Sequence, residues 1–518
     1  VGEVLKERVE SDFAAGNYWE RPIYTSVGSS LLKVKYDTIS ASDLNVADDL
    51  TRDKVLNYLY GYTYDADATT HAPSATRDWM LGAIVHSRPV VVEYYNPSDL
   101  TVLLKRYIVV GANDGMFHVF DDSTGQEVLA FVPPDMLTIL QNLPDNPFVD
   151  TVDGSVLLHR ENTAPKYLIF GERRGGAKFW CLNITDSDPL NWTVQWNYTN
   201  SEISQSWSEP FTAKVPVSVD PSRGERTFKD VLVITGGYDT EEDLYPEPFN
   251  DLDYSGSPYK ANGTIDGSEW DKNNAAQDIN NNNDYDIYNL DKNEYGRGVF
   301  IFDIDDPTTV TNDGNGVRLL PFSVSYDTSD SRTVNGANGA TQTRTDMEFC
   351  FPASPSVITE TVSYLYKDGS GVLTEGIVTN VLKTVYATDI YTNVFRINYD
   401  FEVTESSGTY SVSENNWTVG QIFSGNPASP NSSGSFSNTA ILSTTDKGRK
   451  AFYPPEVSWG GSCTYFDKGN YRFDNTIFSG TDKIASLFFG TGDREHPTYK
   501  LVKNRIYAVY DDSQVAGI

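Results

Sequence analysis

The chain is poor in positive charge: 40 Lys and Arg stand against 72 Asp and Glu in 518 residues, a net charge of −32. A surface of that sign repels nucleic-acid backbones and anionic lipid headgroups, so neither is an expected partner. It favours solubility outside the cell and weak attraction of divalent cations. No stretch of about 20 apolar residues occurs, so no membrane span is expected. The opening "VGEVLKERVESDFAAGNYWE" has neither an initiating Met nor the pattern of a signal peptide, as expected of a processed or fragmentary product, and leaves secretion of a precursor open. Cysteine is scarce. Cys181, Cys350 and Cys463 lie far apart, with no Cys-x-x-Cys and no Cys-x-x-Cys-His, which argues against structural zinc and covalent haem. One disulfide with an odd thiol fits this count, and so do three buried thiols.

Catalytic signatures are equally sparse. There is no Gly-x-Ser-x-Gly elbow and no Gly-x4-Gly-Lys-Ser/Thr phosphate loop. None of the five histidines, His71, His86, His118, His159 and His496, pairs with another at helical ligand spacing. His118 sits inside an apolar strand pattern and reads as a packed strand residue rather than a catalyst. Carboxylate pairs such as Asp121 and Asp122 fall in turns, as they do in any acidic chain. The expectation is a protein that is not an enzyme.

What the chain does have is a repeated hairpin. "YIVVGANDGMFHVFDDSTGQEVLAFVP" (107–133) places two apolar runs around a Gly-Ala-Asn-Asp-Gly turn, then a Ser-Thr-Gly turn and a third strand. The same form returns at 167–198, at 231–239 resuming at 296–309, at 384–400 with 417–423, and at 486–512. Each is an apolar strand, a Gly turn and an apolar strand ending in Asp or Asn. Period-two alternation and β-branched and aromatic residues mark them as strands. Gly and Asp at the turns are expected to supply the positive φ of tight hairpins. Five hairpins of one type predict an all-β fold, a β-propeller of about seven modified blades, with six or eight allowed. The alternative is a set of β-sandwich domains. The expected division is a lead-in over 1–100, with a short helix and the first propeller strands, followed by the propeller over 101–518. Insertions are expected at about 240–295 and 424–440, where polar residues dominate.

One or two short helices are expected. Residues 50–61, "LTRDKVLNYLYG", carry a Thr51 cap, apolar Val55, Leu56 and Leu59, and Gly61 as a stop. Residues 77–89, "RDWMLGAIVHSRP", are read as a possible further turn of helix. In the first insertion, "DINNNNDYDIYNLD" (278–291) sets Asp278, Asn280, Asn282, Asp284 and Asp286 at positions 1, 3, 5, 7 and 9 of a loop. Calcium takes six to eight hard oxygens, and alternate residues of a tight loop can turn them inward. Position 6 is Asn283 rather than Gly, and position 12 is Asn289 rather than a bidentate Glu, with Asp291 or Glu294 as substitutes. Ca²⁺ at these five residues is the cofactor expectation.

Several stretches occur in an order that carries a resemblance. "RDWMLGAIVHSRPVVVEYY", "GANDGMFHVFDDSTGQEVLAFVPPDML", "VITGGYD", "SWSEPF", "MEFCFPASPSV", "VYATDIYTNVFRI" and "FFGTGDREHP" with "NRIYAVYDD" run through roughly residues 20–515. Together they resemble the C-terminal propeller of the PilY/PilC family of type IV pilus biogenesis factors and tip adhesins. The resemblance implies a secreted, modified β-propeller acting with minor pilins at the pilus tip. It also implies roles in pilus (fimbrium) assembly, attachment to host or abiotic surfaces, twitching motility and calcium-dependent regulation. The expected location is extracellular, at the cell surface or pilus tip, by way of the periplasm and outer membrane. In many relatives an Asp-x-Asp-x-Asp loop precedes a "YAGDL"-like strand. Here that strand is Tyr386–Ile390, "YATDI", and the stretch before it keeps little of the loop beyond Asp368. The Asp278 loop lies in another insertion. The competing functional expectation is a quinoprotein-like dehydrogenase propeller holding pyrroloquinoline quinone and calcium, although vicinal cysteines of several such enzymes are missing.

Overall fold

The computed structural model describes residues 2–146, 149–240, 295–312, 318–326, 341–344, 347, 349–425, 449–460, 465–467, 472–474, 484–492, 494 and 504–511. Strands dominate, and two α-helices occur among the described residues. The expected all-β class holds. The chain divides into two compact units, one of Val1–Pro210 with Asp305–Pro307, the other of Phe211–Ile304 with Thr308–Ile518.

The first unit begins with α1 (Gly2–Ala15), β1 (Ile23–Val27), β2 (Ser30–Lys33) and α2 (Asp49–Tyr60). Helix α1 was not foreseen, because only Leu5 and Val9 on it are buried, too thin a stripe to read. Helix α2 matches the expected helix, but its cap is Asp48, whose Oδ1 accepts from Thr51 N at 2.7 Å. Thr51 supplies the donor and not the cap. Gly61 ends α2 with φ 105°. Four strands then form an antiparallel meander: β3 (Val90–Asn96), β4 (Asp99–Gly111), β5 (Phe117–Asp121) and β6 (Glu127–Phe131). Strand β1 joins β6 in parallel through Ile23↔Ala130 and Tyr24↔Phe131. A second meander follows: β7 (Val156–Glu161), β8 (Ala164–Gly171), β9 (Phe179–Asn183) and β10 (Thr193–Tyr198). Phe117 of β5 stacks on Phe170 of β8 at 4.5 Å, so the two meanders share one core.

The second unit repeats the plan. Strands β11 (Phe211–Val219), β12 (Arg226–Thr235) and β13 (Val299–Asp303) are followed by the short pair β14 (Thr311–Asn312) and β15 (Arg318–Leu320). Strand β16 (Phe322–Tyr326) completes that meander, and β17 (Thr341–Arg344) extends it. The next meander is β18 (Ser356–Lys367), β19 (Leu373–Thr388), β20 (Asn393–Ser406) and β21 (Thr409–Ser424). One parallel bridge, Lys214↔Val381, joins β11 to β19. The last described strands are β22 (Glu456–Gly460), β23 (Tyr465–Asp467), β24 (Arg472–Asp474), β25 (Ile484–Gly490) and β26 (Ile506–Asp511), with β25 between β22 and β26. Trp417 centres the core of the first two meanders, stacked at 4.4 Å on Phe322 and 4.5 Å from Tyr399.

All five expected hairpins are present, each antiparallel. Gly111 pairs with Phe117, Gly171 with Phe179, Thr235 with Val299, Thr388 with Val394 and Gly490 with Ile506. The expected positive φ is present at the turn glycines Gly115 (86°), Gly125 (71°) and Gly237 (99°), but the glycines at the strand ends need a different explanation. Gly111 and Gly171 are not in the left-handed region. A Cβ on Gly111 would lie 2.3 Å from Val152 O, and one on Gly171 would lie 2.6 Å from Ser206 O. These glycines let the segment leading to the next meander cross against the strand end. The Asp or Asn closing several hairpin strands caps the following turn: Asp121 Oδ1 accepts from Ser123 N and Thr124 N at 3.0 Å each, and Asn183 Oδ1 from Thr185 N at 3.1 Å.

Candidate functional site

The hairpin turn of residues 112–116 is held by an irregular segment over residues 77–83. No helix forms there, contrary to the reading of residues 77–89. Thr76 is already bridged to Tyr62, and Arg77 N donates to Gly61 O at 2.9 Å, which fixes the backbone in an extended course. Asn113 N donates to Ala83 O at 2.9 Å, and Gly82 N to Asp114 Oδ2 at 2.7 Å. A Cβ on Gly82 would meet Asp114 N at 2.6 Å, so the contact requires glycine. Between segment and turn lies a cavity of about 290 Å³, walled by Tyr58, Trp79, Met80, Leu81, Ala83 and Leu143 and edged by Arg77, Asn113 and Asp114. Trp79 is 66% exposed at its rim.

Behind Asp114 runs a buried chain of charges. His118 donates from Nε2 to Asp114 Oδ1 at 3.1 Å and from Nδ1 to Glu127 Oε1 at 2.8 Å, as a doubly protonated ring must. Arg21 grips the same Glu127 with two bonds, Nε to Oε2 at 2.6 Å and Nη2 to Oε1 at 2.9 Å, and its Nη1 donates to Leu59 O at 2.9 Å. Arg21, His118 and Glu127 are each at most 1% exposed. Burial opposes the charge on His118, but Asp114 and Glu127 outweigh it and raise its pKa to about 9. Burial likewise opposes ionisation of Glu127 and Asp114. Arg21 and His118 hold Glu127 well below the carboxylate range, and His118, Arg21 and the Gly82 N–H hold Asp114 low. Two positive and two negative groups therefore close a neutral network.

The other sequence-marked residues are placed as follows. Asp278, Asn280, Asn282, Asp284 and Asp286, with Asp291 and Glu294, lie outside the described residues, as do Cys463, His496 and nearly all of both expected insertions. Asp368 caps the β18–β19 turn, accepting from Ser370 N at 2.8 Å and Val372 N at 2.9 Å. Among the described residues no group of three or more His, Cys, Asp or Glu is arranged to hold a metal. His71 bonds Asp53 at 2.6 Å and stacks on Tyr36. His86 bonds the buried Asp153. Cys181 and Cys350 are buried. A second acidic cluster sits at the next hairpin turn: Glu172 is buried, accepts from Trp180 Nε1 at 2.7 Å, and has its pKa raised to about 8 by burial and by Asp135. Arg21, Arg77, Asn113 and Glu127 escaped the sequence reading. Asn113 and Asp114 were visible only as part of a turn, and nothing local ties Arg21 to Glu127 over 106 residues.

No profile of a known protein family matches the chain. Two curated proteins are similar to parts of it, both named "Type IV pilus biogenesis factor PilY1 homolog" and both from Xylella fastidiosa (strain Temecula1). One is 28% identical over 187 residues, 31% of this chain and 15% of the relative. The other is 30% identical over 170 residues, 27% of this chain and 12% of the relative. The aligned stretch is thus a small part of either relative. Over about 30% of its length, the chain is a relative of the PilY1 homologs of type IV pilus biogenesis, the resemblance its ordered motifs carry.

Proposed function

We propose that this chain is a non-enzymatic factor of type IV pilus assembly and tip adhesion, built on a propeller of about seven modified blades. The observation that carries the reading is the recurrence of the five antiparallel hairpins, four of them at the centre of a four-stranded antiparallel meander of the kind that blades are made of, the fifth in the three-stranded sheet β22-β25-β26. The relatives' name supports the biogenesis role and an envelope or surface location. In this reading the meanders are scaffold, and the polar insertions at 240–295 and 424–440 are the contact surfaces towards minor pilins and towards host or abiotic surfaces. Calcium taken up by Asp278, Asn280, Asn282, Asp284 and Asp286 tunes those contacts.

Deletion of the gene tests the role: pili counted by electron microscopy should fall, with loss of surface attachment and twitching. Unchanged piliation, adhesion and motility would remove the proposal. Recovery of the chain with minor pilins from sheared native pili tests the location. Calorimetry with calcium on the wild type and Asp284→Ala tests the metal, and equal binding by both dismisses these ligands.

A further inference from the structure

The cavity beside the hairpin turn has an unbalanced edge. Asp114 is engaged at both oxygens, by His118 and by the Gly82 N–H, and its charge is matched within the buried network. Arg77 is not matched. It forms no ion pair among the described residues, and its guanidinium lies 3.8 Å above the Tyr58 ring. Nη2 donates to Tyr58 O at 2.9 Å, Nε is buried without an acceptor, and Nη1 has no partner among the described residues. Asn113, 5% exposed, is oriented by Thr151: its Oδ1 accepts from Thr151 N at 3.3 Å, so the amide nitrogen is the free end. That nitrogen has no acceptor among the described residues. Two donor groups without a partner among the described residues, one cationic, therefore edge the cavity beside the already engaged Asp114, and its walls are Tyr58, Trp79, Met80, Leu81, Ala83 and Leu143. A half-buried guanidinium without an anion is costly, and a carboxylate on an apolar body meets both its planar fork and the apolar walls of the cavity.

We propose that this cavity binds a carboxylate carried on an apolar stem, with Arg77 and the Asn113 amide holding the carboxylate and Met80, Leu81 and Leu143 enclosing the stem. Trp79 closes over the stem from the rim. At about 290 Å³ the cavity lies at the small end of ligand sites, room for one large apolar side chain and its carboxylate rather than for a cofactor. Two sources share this chemistry: the C-terminal residue of a peptide chain and a free apolar acid.

Titration calorimetry on the full chain decides. The probes are 3-phenylpropanoate, a hexapeptide ending in Phe with a free carboxylate, and the same peptide amidated. Either acid should bind, and the amide should bind about tenfold or more weakly. Arg77→Met should weaken the acid by a similar factor. Leu81→Trp, which fills the cavity and leaves Arg77 in place, should abolish binding with an unchanged circular dichroism spectrum, and it decides the matter if the Arg77 variant does not fold. Binding of phenylpropanoate points to a free acid as ligand, and binding of the peptide alone points to a chain terminus. Either result supports the site. No binding of either acid at millimolar concentration, equal binding of acid and amide, or undiminished binding by Leu81→Trp overturns it.

Discussion

Replacing His118 with Gln removes one charge from the network of Arg21, Glu127, His118 and Asp114 and leaves the side-chain length nearly unchanged. The pKa of His118 rises from 6.5 to about 9 on folding. That difference corresponds to about 3 kcal/mol of stability. The contribution is complete below pH 6.5, where the ring is charged in both states. Between pH 6.5 and 9 the unfolded chain releases the proton and the folded one keeps it. Stability then falls by about 1.4 kcal/mol per pH unit, and above the folded pKa the contribution is gone. The carboxylates act in the opposite sense. Glu127 and Asp114 have depressed pKa values, so their contribution is present above the ordinary carboxylate range and is lost on acidification. The network is therefore most stabilising between that range and pH 6.5. In His118→Gln the share of the slope between pH 6.5 and 9 that comes from this ring should vanish, leaving only the slopes of other groups. The variant should lose about 3 kcal/mol at pH 6, where it leaves two buried carboxylates facing one guanidinium, and much less at pH 9.5. Urea unfolding at both pH values, followed by tryptophan fluorescence, measures this, since Trp180 and Trp192 belong to the same core. An equal loss at the two pH values would refute the assignment of a buried imidazolium.

Glu172 has a raised pKa of about 8, so the folded state favours its neutral form. Its contribution should fall as pH rises from 4.5 to 8, and Glu172→Gln should remove that share of the fall, leaving the share of His118, its gain appearing over this window and levelling off above it; a gain independent of pH contradicts the reasoning. Gly171→Ala forces a Cβ to within 2.6 Å of Ser206 O and should cost about 2 kcal/mol or more by thermal melting. A loss below about 0.5 kcal/mol would mean that the crossing segment yields freely. Trp417→Ala removes the stack on Phe322, the tilted contact with Tyr399 and the bond from Nε1 to Leu319 O at 3.0 Å. It should cost about 3–5 kcal/mol, seen as an earlier urea midpoint; a smaller loss would place Trp417 outside the core.

The repeat was legible because its signals are local. Strand period, the Asp or Asn that caps the next turn, and the glycine at the strand end all lie within about ten residues of one another. The turn glycines Gly115 and Gly125 do have the expected positive φ, but the strand-end glycine has another cause: Gly111 answers to Val152 O, an atom 41 positions along the chain and invisible to any local pattern. The segment 77–89 misled in the same way. Its composition permits a helical turn, but Gly82 and Arg77 are tied to Asp114 and Gly61, and those ties set an extended path. The order of family-like blocks foretold the relatives. It did not foretell the cavity, because Arg77 and Asn113 come together only when the segment is laid over the turn.

The buried network shows why composition and alternation could not reveal it. In a regular antiparallel pair, His118 opposite Ala130 would put Phe120 opposite Val128, and Glu127 would point to the other face of the sheet. The observed pairing has Val119 opposite Leu129 and then Phe120 opposite Glu127, one residue short. This bulge turns Glu127 to the face that carries His118, where Arg21 meets both carboxylate oxygens. A reading by strict alternation assigns Glu127 to the wrong side and leaves His118 as a lone histidine in an apolar strand. One inserted residue thus decides whether two charges stand on opposite faces of a sheet or bind each other inside the core. Through His118 and Asp114 it also fixes the turn that forms one edge of the cavity.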